Sequence, residues 1–155
     1  MLQWFRSQTS APVPAGPPLA VRRFTTSDPT ISQDPLRVDG DGWTAEVADG
    51  QTIPLFEIAP PPLDHCLITW RLKMKTQGLA DKAYLEMWCR FDGRGEFFSK
   101  GFDHAITGTN DWASYEVTFF LQKGQSPDLL KLNLAMEGAG SVWIKDVELT
   151  QTPLS

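Results

Sequence analysis

The chain has 155 residues, 41% of them hydrophobic, which suits one domain with a sizeable core. Its formal net charge is -5. That argues against nucleic acid and against an anionic membrane surface as partners, since both need a basic footprint. No apolar run approaches the roughly 20 residues of a membrane span.

Residues 1–20 carry four prolines, one glycine and one charge, and read as a linker or disordered tail in which Trp4 and Phe5 are candidates for docking. Prolines interrupt any apolar stretch there, so the chain as given is expected to have no signal peptide or transmembrane segment. The compartment stays open. The folded domain is expected over residues 21–151.

From Val21 onward, short alternating runs are separated by turn clusters. "PLRVDGDGWTAEV" (35–47) predicts two short strands around Asp39-Gly40-Asp41-Gly42. "QTIPLFEIA" (51–59) predicts a strand whose Pro54 calls for an edge position or a bulge. "LITWRLKMK" (67–75) sets Ile68, Trp70, Leu72 and Met74 on one face, with Thr69, Arg71, Lys73 and Lys75 on a solvated one. "AYLEMWCRF" (83–91) alternates again, and a hairpin about residues 77–80 is expected to pair it with 67–75. "DGRG" (92–95) turns into "EFFSKGF" (96–102). "DHAITGTND" (103–111) reads as a loop.

"WASYEVTFFLQ" (112–122) places Tyr115, Val117, Phe119 and Leu121 in phase. "LLKLNLAMEG" (129–138) does the same with Leu130, Leu132, Leu134 and Met136. "GAGS" leads into "VWIKDVEL" (142–149), where Val142 and Ile144 have one parity and Val147 and Leu149 the other. One extra residue rephases them, which predicts a β-bulge near Lys145-Asp146. No stretch of ten residues has helical periodicity. Eight or nine short strands with Gly, Pro and Asp punctuation predict an all-β, antiparallel two-sheet sandwich or barrel.

Cys66 and Cys89 have no spacing that would hold zinc, and two free thiols are expected, with Cys89 in the core. Two histidines, His65 and His104, are too few for a clustered metal centre.

The stretch "GTNDWASYEVTFF…LLKLNLAMEGAGSVWIKDVEL" (108–149) resembles the C-terminal half of jelly-roll carbohydrate-binding modules and related galactose-binding-like domains. The closing "GAGSVWIKDV" is similar to the family's Gly-x-Gly-x-Val-Trp hairpin with paired aspartates. Lys145 stands where the first aspartate often stands, and Asp146 matches the second. The resemblance covers the last third of the chain and implies a jelly-roll sandwich. It also implies a structural calcium near Asp146, with Asp28, Asp34, Asp39 or Asp41 as a second acidic ligand. From the residues alone, the other role for Asp146 is a bulge aspartate bonded to backbone amides.

The outward row of residues 83–91 is Tyr84, Glu86, Trp88 and Arg90. Flat rings take the C–H faces of sugars, and a carboxylate and guanidinium pair with hydroxyls. If strands 112–122 and 129–137 share that sheet, Glu116, Phe120 and Asn133 extend the face. The reading is a non-catalytic carbohydrate-binding-like module. Its alternative is a structural or protein-interaction β-sandwich without a small ligand, in which Tyr84 and Trp88 are covered and Glu86 and Arg90 pair across strands. Glu86 and Glu116 form the one carboxylate pair to weigh for glycoside hydrolysis. Arg90 beside Glu86 would keep that carboxylate ionised, the wrong state for a general acid.

Overall fold

The two alternating runs 67–75 and 83–91 belong to one strand of 26 residues, β5 (Cys66–Phe91). The computed structural model of the protein describes residues 13–155. Before β5 come β1 (Leu19–Phe24), β2 (Leu36–Asp39), β3 (Gly42–Val47) and β4 (Gln51–Ile58). After it come β6 (Gly95–Lys100), a 3-10 turn (Phe102–His104), β7 (Ile106–Leu121), β8 (Leu129–Met136) and β9 (Gly140–Pro153). All pairings are antiparallel, and no described helix is long and apolar enough to cross a membrane.

The first half of β5 lies between β7 and β9. Its second half lies between β8 and β6, and β4 closes the far edge beside β8. The expected hairpin between 67–75 and 83–91 is therefore replaced by a single strand that passes from one layer to the other. Between Thr76 and Ala83 the register against β7 shifts repeatedly, and Gly78 has φ +64. A glycine inside a strand marks a bend or bulge as readily as a reversal. The core parity changes across this bend, from Ile68, Trp70, Leu72 and Met74 to Leu85, Met87, Cys89 and Phe91. Residues 106–111, expected as loop, pair with the bent segment through Ile106, Gly108 and Asn110.

The two layers enclose the predicted rows. Trp70, Phe119, Leu121, Leu130, Leu132 and Leu134 are fully buried, joined by Ile53, Leu55 and Phe56 from β4. Pro54 sits where expected, on an edge strand and at a register shift against β8. The β2–β3 hairpin turns at Gly40-Asp41, with Gly40 at φ +63. Gly42 follows because a Cβ there would collide with the Ile144 carbonyl oxygen.

The predicted bulge is present. Arg71 faces Glu148 and Lys73 faces Lys145, so β9 spends one extra residue there, and Asp146 takes φ +54. It lies where β9 hands its outer edge from β3 (to Ile144) to β1 (from Val147). Residues 1–12 of the expected tail, with Trp4 and Phe5, lie outside the described residues. Beyond them, Pro14 bridges Leu154, Ala15 N–H donates to the Pro153 carbonyl at 2.7 Å, and β1 begins at Leu19. The tail's second half is thus tied to the last strand.

Both cysteines are free and buried, as expected. Burial, with the Asp64 charge adding, pushes the Cys66 thiol up to about 11, and burial alone drives Cys89 higher still. Neither thiol should react with a disulfide reagent at pH 8 until the protein is unfolded, because the thiolate is the nucleophile. The bulge gives a second expectation. Asp146→Gly should keep or raise the melting temperature, while Asp146→Val should cost about 1–2 kcal/mol in urea unfolding, since a β-branched residue resists a left-handed backbone.

Candidate functional site: the outer face of β5, β6 and β8

The second half of β5 turns Tyr84, Glu86, Trp88 and Arg90 outward. On β8 they face Ala135, Asn133, Lys131 and Leu129 in turn. On β6, Glu86, Trp88 and Arg90 face Lys100, Phe98 and Glu96. β5 and β8 therefore bring five of the seven predicted residues onto one surface: Tyr84, Glu86, Trp88, Arg90 and Asn133. Glu116 and Phe120 are not among them. They lie on β7 opposite Arg71 and Leu67, in the other layer, because β7 pairs with the first half of β5.

The row is unevenly exposed. Glu86 is 6% exposed and Tyr84 8%. Glu86 Oε1 accepts from Trp88 Nε1 and from Asn133 Nδ2, each at 3.0 Å. The Lys100 ammonium stands 3.7 Å from Glu86 Oε2. Two donors and a cation thus surround an almost buried carboxylate and meet its need for polar partners. Its role is to fix the Trp88 indole and the Asn133 amide in place.

Tyr84 is covered by Phe102 of the 3-10 turn, with ring centroids 4.7 Å apart. Burial, with the Glu137 and Glu86 charges adding, holds its hydroxyl above the ordinary phenol value. Trp88 is half-buried, tilted against Phe98 at 5.0 Å. The rings that reach solvent are Phe98, 49% exposed, and Phe102, 55% exposed. Lys100 Nζ sits between them, 5.1 Å from one centroid and 5.9 Å from the other. Arg90 is exposed and grips Asp128, with its terminal nitrogen 3.0 Å from Oδ2, and Lys131 pairs with Glu96 at 2.7 Å.

Sequence reasoning missed Phe98, Lys100 and Phe102. The alternation of "EFFSKGF" was the available signal, since Phe98 and Lys100 share one parity. Their placement beside Trp88 comes from the β5–β6 register. Tyr84 is covered, as the alternative reading expects, whereas nothing in the sequence marked Glu86 as buried.

Asp146 is exposed, and its Oδ2 lies 3.5 Å from Lys73 Nζ. It borders a cleft of about 350 Å³ whose other charged groups are Arg23, Arg71, Lys73 and Glu148. Asp28 accepts from Arg22 and from the Thr25 backbone N–H, both at 2.7 Å. These contacts hold its carboxyl below the ordinary range, the backbone bond contributing most. Among the described residues, no three His, Cys, Asp or Glu side chains gather to hold a metal. Calcium prefers an oxygen-rich set, and the partner shown for Asp146 is the Lys73 ammonium.

No family model and no curated protein matches the sequence. Solved structures match the fold. A Stig cyclase, FisC from Fischerella sp. TAU, superposes with a TM-score of 0.52 at 14% identity, over 76% of this chain and 67% of that one. An arabinose-bound α-L-arabinofuranosidase superposes with 0.52 at 10% identity, over 92% of this chain and 25% of that one. A family 29 carbohydrate-binding module matches with 0.48 at 13% identity, over 76% of this chain and 70% of that one. This chain thus spans about two-thirds of the cyclase and a quarter of the arabinofuranosidase. The likeness is one of fold, and the jelly-roll β-sandwich expected from the C-terminal hairpin is the fold found.

If Glu86 is the anchor of this face, its removal should be costly. Glu86→Ala leaves two buried donors unmet and should lower stability by about 1–3 kcal/mol in urea unfolding, with a shift in Trp88 emission. Glu86→Gln keeps one acceptor and should cost less. Equal stability of both variants and wild type would remove the anchoring role.

Proposed function

We propose that the protein is a non-catalytic carbohydrate-binding-like module whose ligand lies across β6 and the second half of β5. The observation that carries this reading is the solvent-facing pair Phe98 and Phe102, set beside a Trp88 indole that Glu86 holds rigid. Rings fixed in place give stacking area at little entropic cost. Lys100, Lys131 and Arg90 border the rings and offer N–H donors to sugar hydroxyls. Asn133 and Glu86 act beneath them, and Tyr84 supports Phe102.

Catalysis finds little support in this arrangement. Glu86 is almost buried and its Oε1 is taken up by Trp88 and Asn133, and Glu116 lies in the other layer. A pair of carboxylates flanking one glycosidic bond is therefore not assembled from these two. The reading also needs no ion: calcium is expected to leave the melting temperature unchanged, and a clear rise would return Asp146 to the role of ligand.

The second reading is a protein-interaction sandwich. It is favoured by the identity of the exposed rings, since phenylalanine has no polar tip to bond a sugar hydroxyl and suits an apolar partner surface.

Affinity gels and calorimetry against a panel of neutral oligosaccharides separate the two. Phe98→Ala is expected to weaken sugar binding about tenfold or more while leaving unfolding nearly unchanged, because the ring is half exposed. Trp88→Ala should lose binding and some stability together. A folded wild type that binds no member of the panel would overturn the carbohydrate reading and leave the protein-partner one.

A further inference from the structure

The opposite layer carries a second aromatic cluster on its outer face. Trp143 on β9 stands across from Lys75 on β5, and Lys145 across from Lys73. Trp112 projects from β7 close by and is 36% exposed. Lys75 Nζ lies 4.8 Å from the Trp143 ring and 5.5 Å from the Trp112 ring, and Lys145 Nζ lies 4.2 Å from the Trp112 ring. Two ammonium groups thus share the Trp112 indole, and one of them also lies over Trp143. Beside them opens a cleft of about 440 Å³ lined by Lys75, Gln77, Thr109, Asn110, Asp111 and Trp143.

The charges distinguish this cluster from the Phe98 face, whose Lys100, Lys131 and Arg90 are all paired. Lys73, Lys100 and Lys131 each have a carboxylate within 4.0 Å. Lys75 and Lys145 have none among the described residues, although the chain as a whole is acidic. Holding two like charges over the one Trp112 ring costs repulsion, and an anion placed between them would relieve it. Indole faces suit C–H surfaces, and the cleft's amides and hydroxyl suit a polyol. Asp111 is the one carboxylate in the lining, and its Oδ1 already accepts the Trp112 backbone N–H at 2.7 Å.

We propose that Trp112, Trp143, Lys75 and Lys145 form a second ligand site, specific for an acidic saccharide whose carboxylate or sulfate bridges the two ammonium groups while a sugar ring lies against an indole. The site is separate from the Phe98 face, so either can fail without the other.

Titration calorimetry with three probes of equal length tests it: a galacturonate oligosaccharide, a sulfated oligosaccharide and a neutral galactose oligosaccharide. At least one acidic probe is expected to bind, more weakly as salt is raised. Lys75→Gln and Lys145→Gln should each weaken that binding about tenfold, as loss of a charge-assisted bond does, with unchanged melting temperature. Phe98→Ala should leave it intact. Whether the uronate or the sulfated probe binds identifies the anion. The proposal is overturned if neither acidic probe binds, if the neutral probe binds this site equally well, or if acidic binding survives in the double lysine variant.

Discussion

The structure depends on one strand having to serve two layers. β5 is 26 residues long and gives neighbours to β6, β7, β8 and β9. Side chains alternate, and here the strand keeps an apolar row inside both layers with its phase reset where it bends. The stretch around Gly78 does this, moving the core row from the parity of Trp70 to that of Met87. The same reset decides which residues meet on each outer face. Lys75 goes to one layer with Trp143, and Trp88 goes to the other with Phe98.

The two outer faces manage charge differently. Around Glu86, a carboxylate is nearly removed from water, and the surrounding indole, amide and ammonium groups offset its desolvation. Charge there is internal and fixes geometry. Around Trp112, the cations are on the outside and lie over rings, which supply attraction without neutralising them. The first face is organised by contacts within the protein. The second retains unmatched charge, which gives the two faces different electrostatic demands on whatever they meet.

Much of the fold was legible because its signals are local. The Gly40-Asp41 turn, the edge position of Pro54 and the parity break at Lys145-Asp146 can each be read from a few consecutive residues. The bulge is the clearest case, since Val142, Ile144, Val147 and Leu149 are all buried only if one residue is inserted. What was not legible depends on pairings distant in sequence. Residues 67–75 and 83–91 alternate equally well as hairpin partners or as one strand, and the choice is made by which of β7, β8 and β9 lies beside each half. "TGTND" has loop composition and still forms the start of β7, because the bent part of β5 supplies its partners.

The same limit explains the candidate site. Tyr84, Glu86, Trp88, Arg90 and Asn133 share a face because strand parity and the β5–β8 pairing agree. Glu116 and Phe120 have suitable chemistry and outward parity, but parity cannot say which layer a strand joins. Exposure is more distant still. Alternation marks Tyr84 and Glu86 as outward, and outward is not the same as wet. Phe102 covers the tyrosine from a turn 18 positions along the chain, and Asn133 meets the glutamate from 47 positions away. The residues that a sheet pattern singles out as the surface therefore form its foundation here, and the exposed aromatic layer is built by the neighbouring strand and turn that the pattern did not single out.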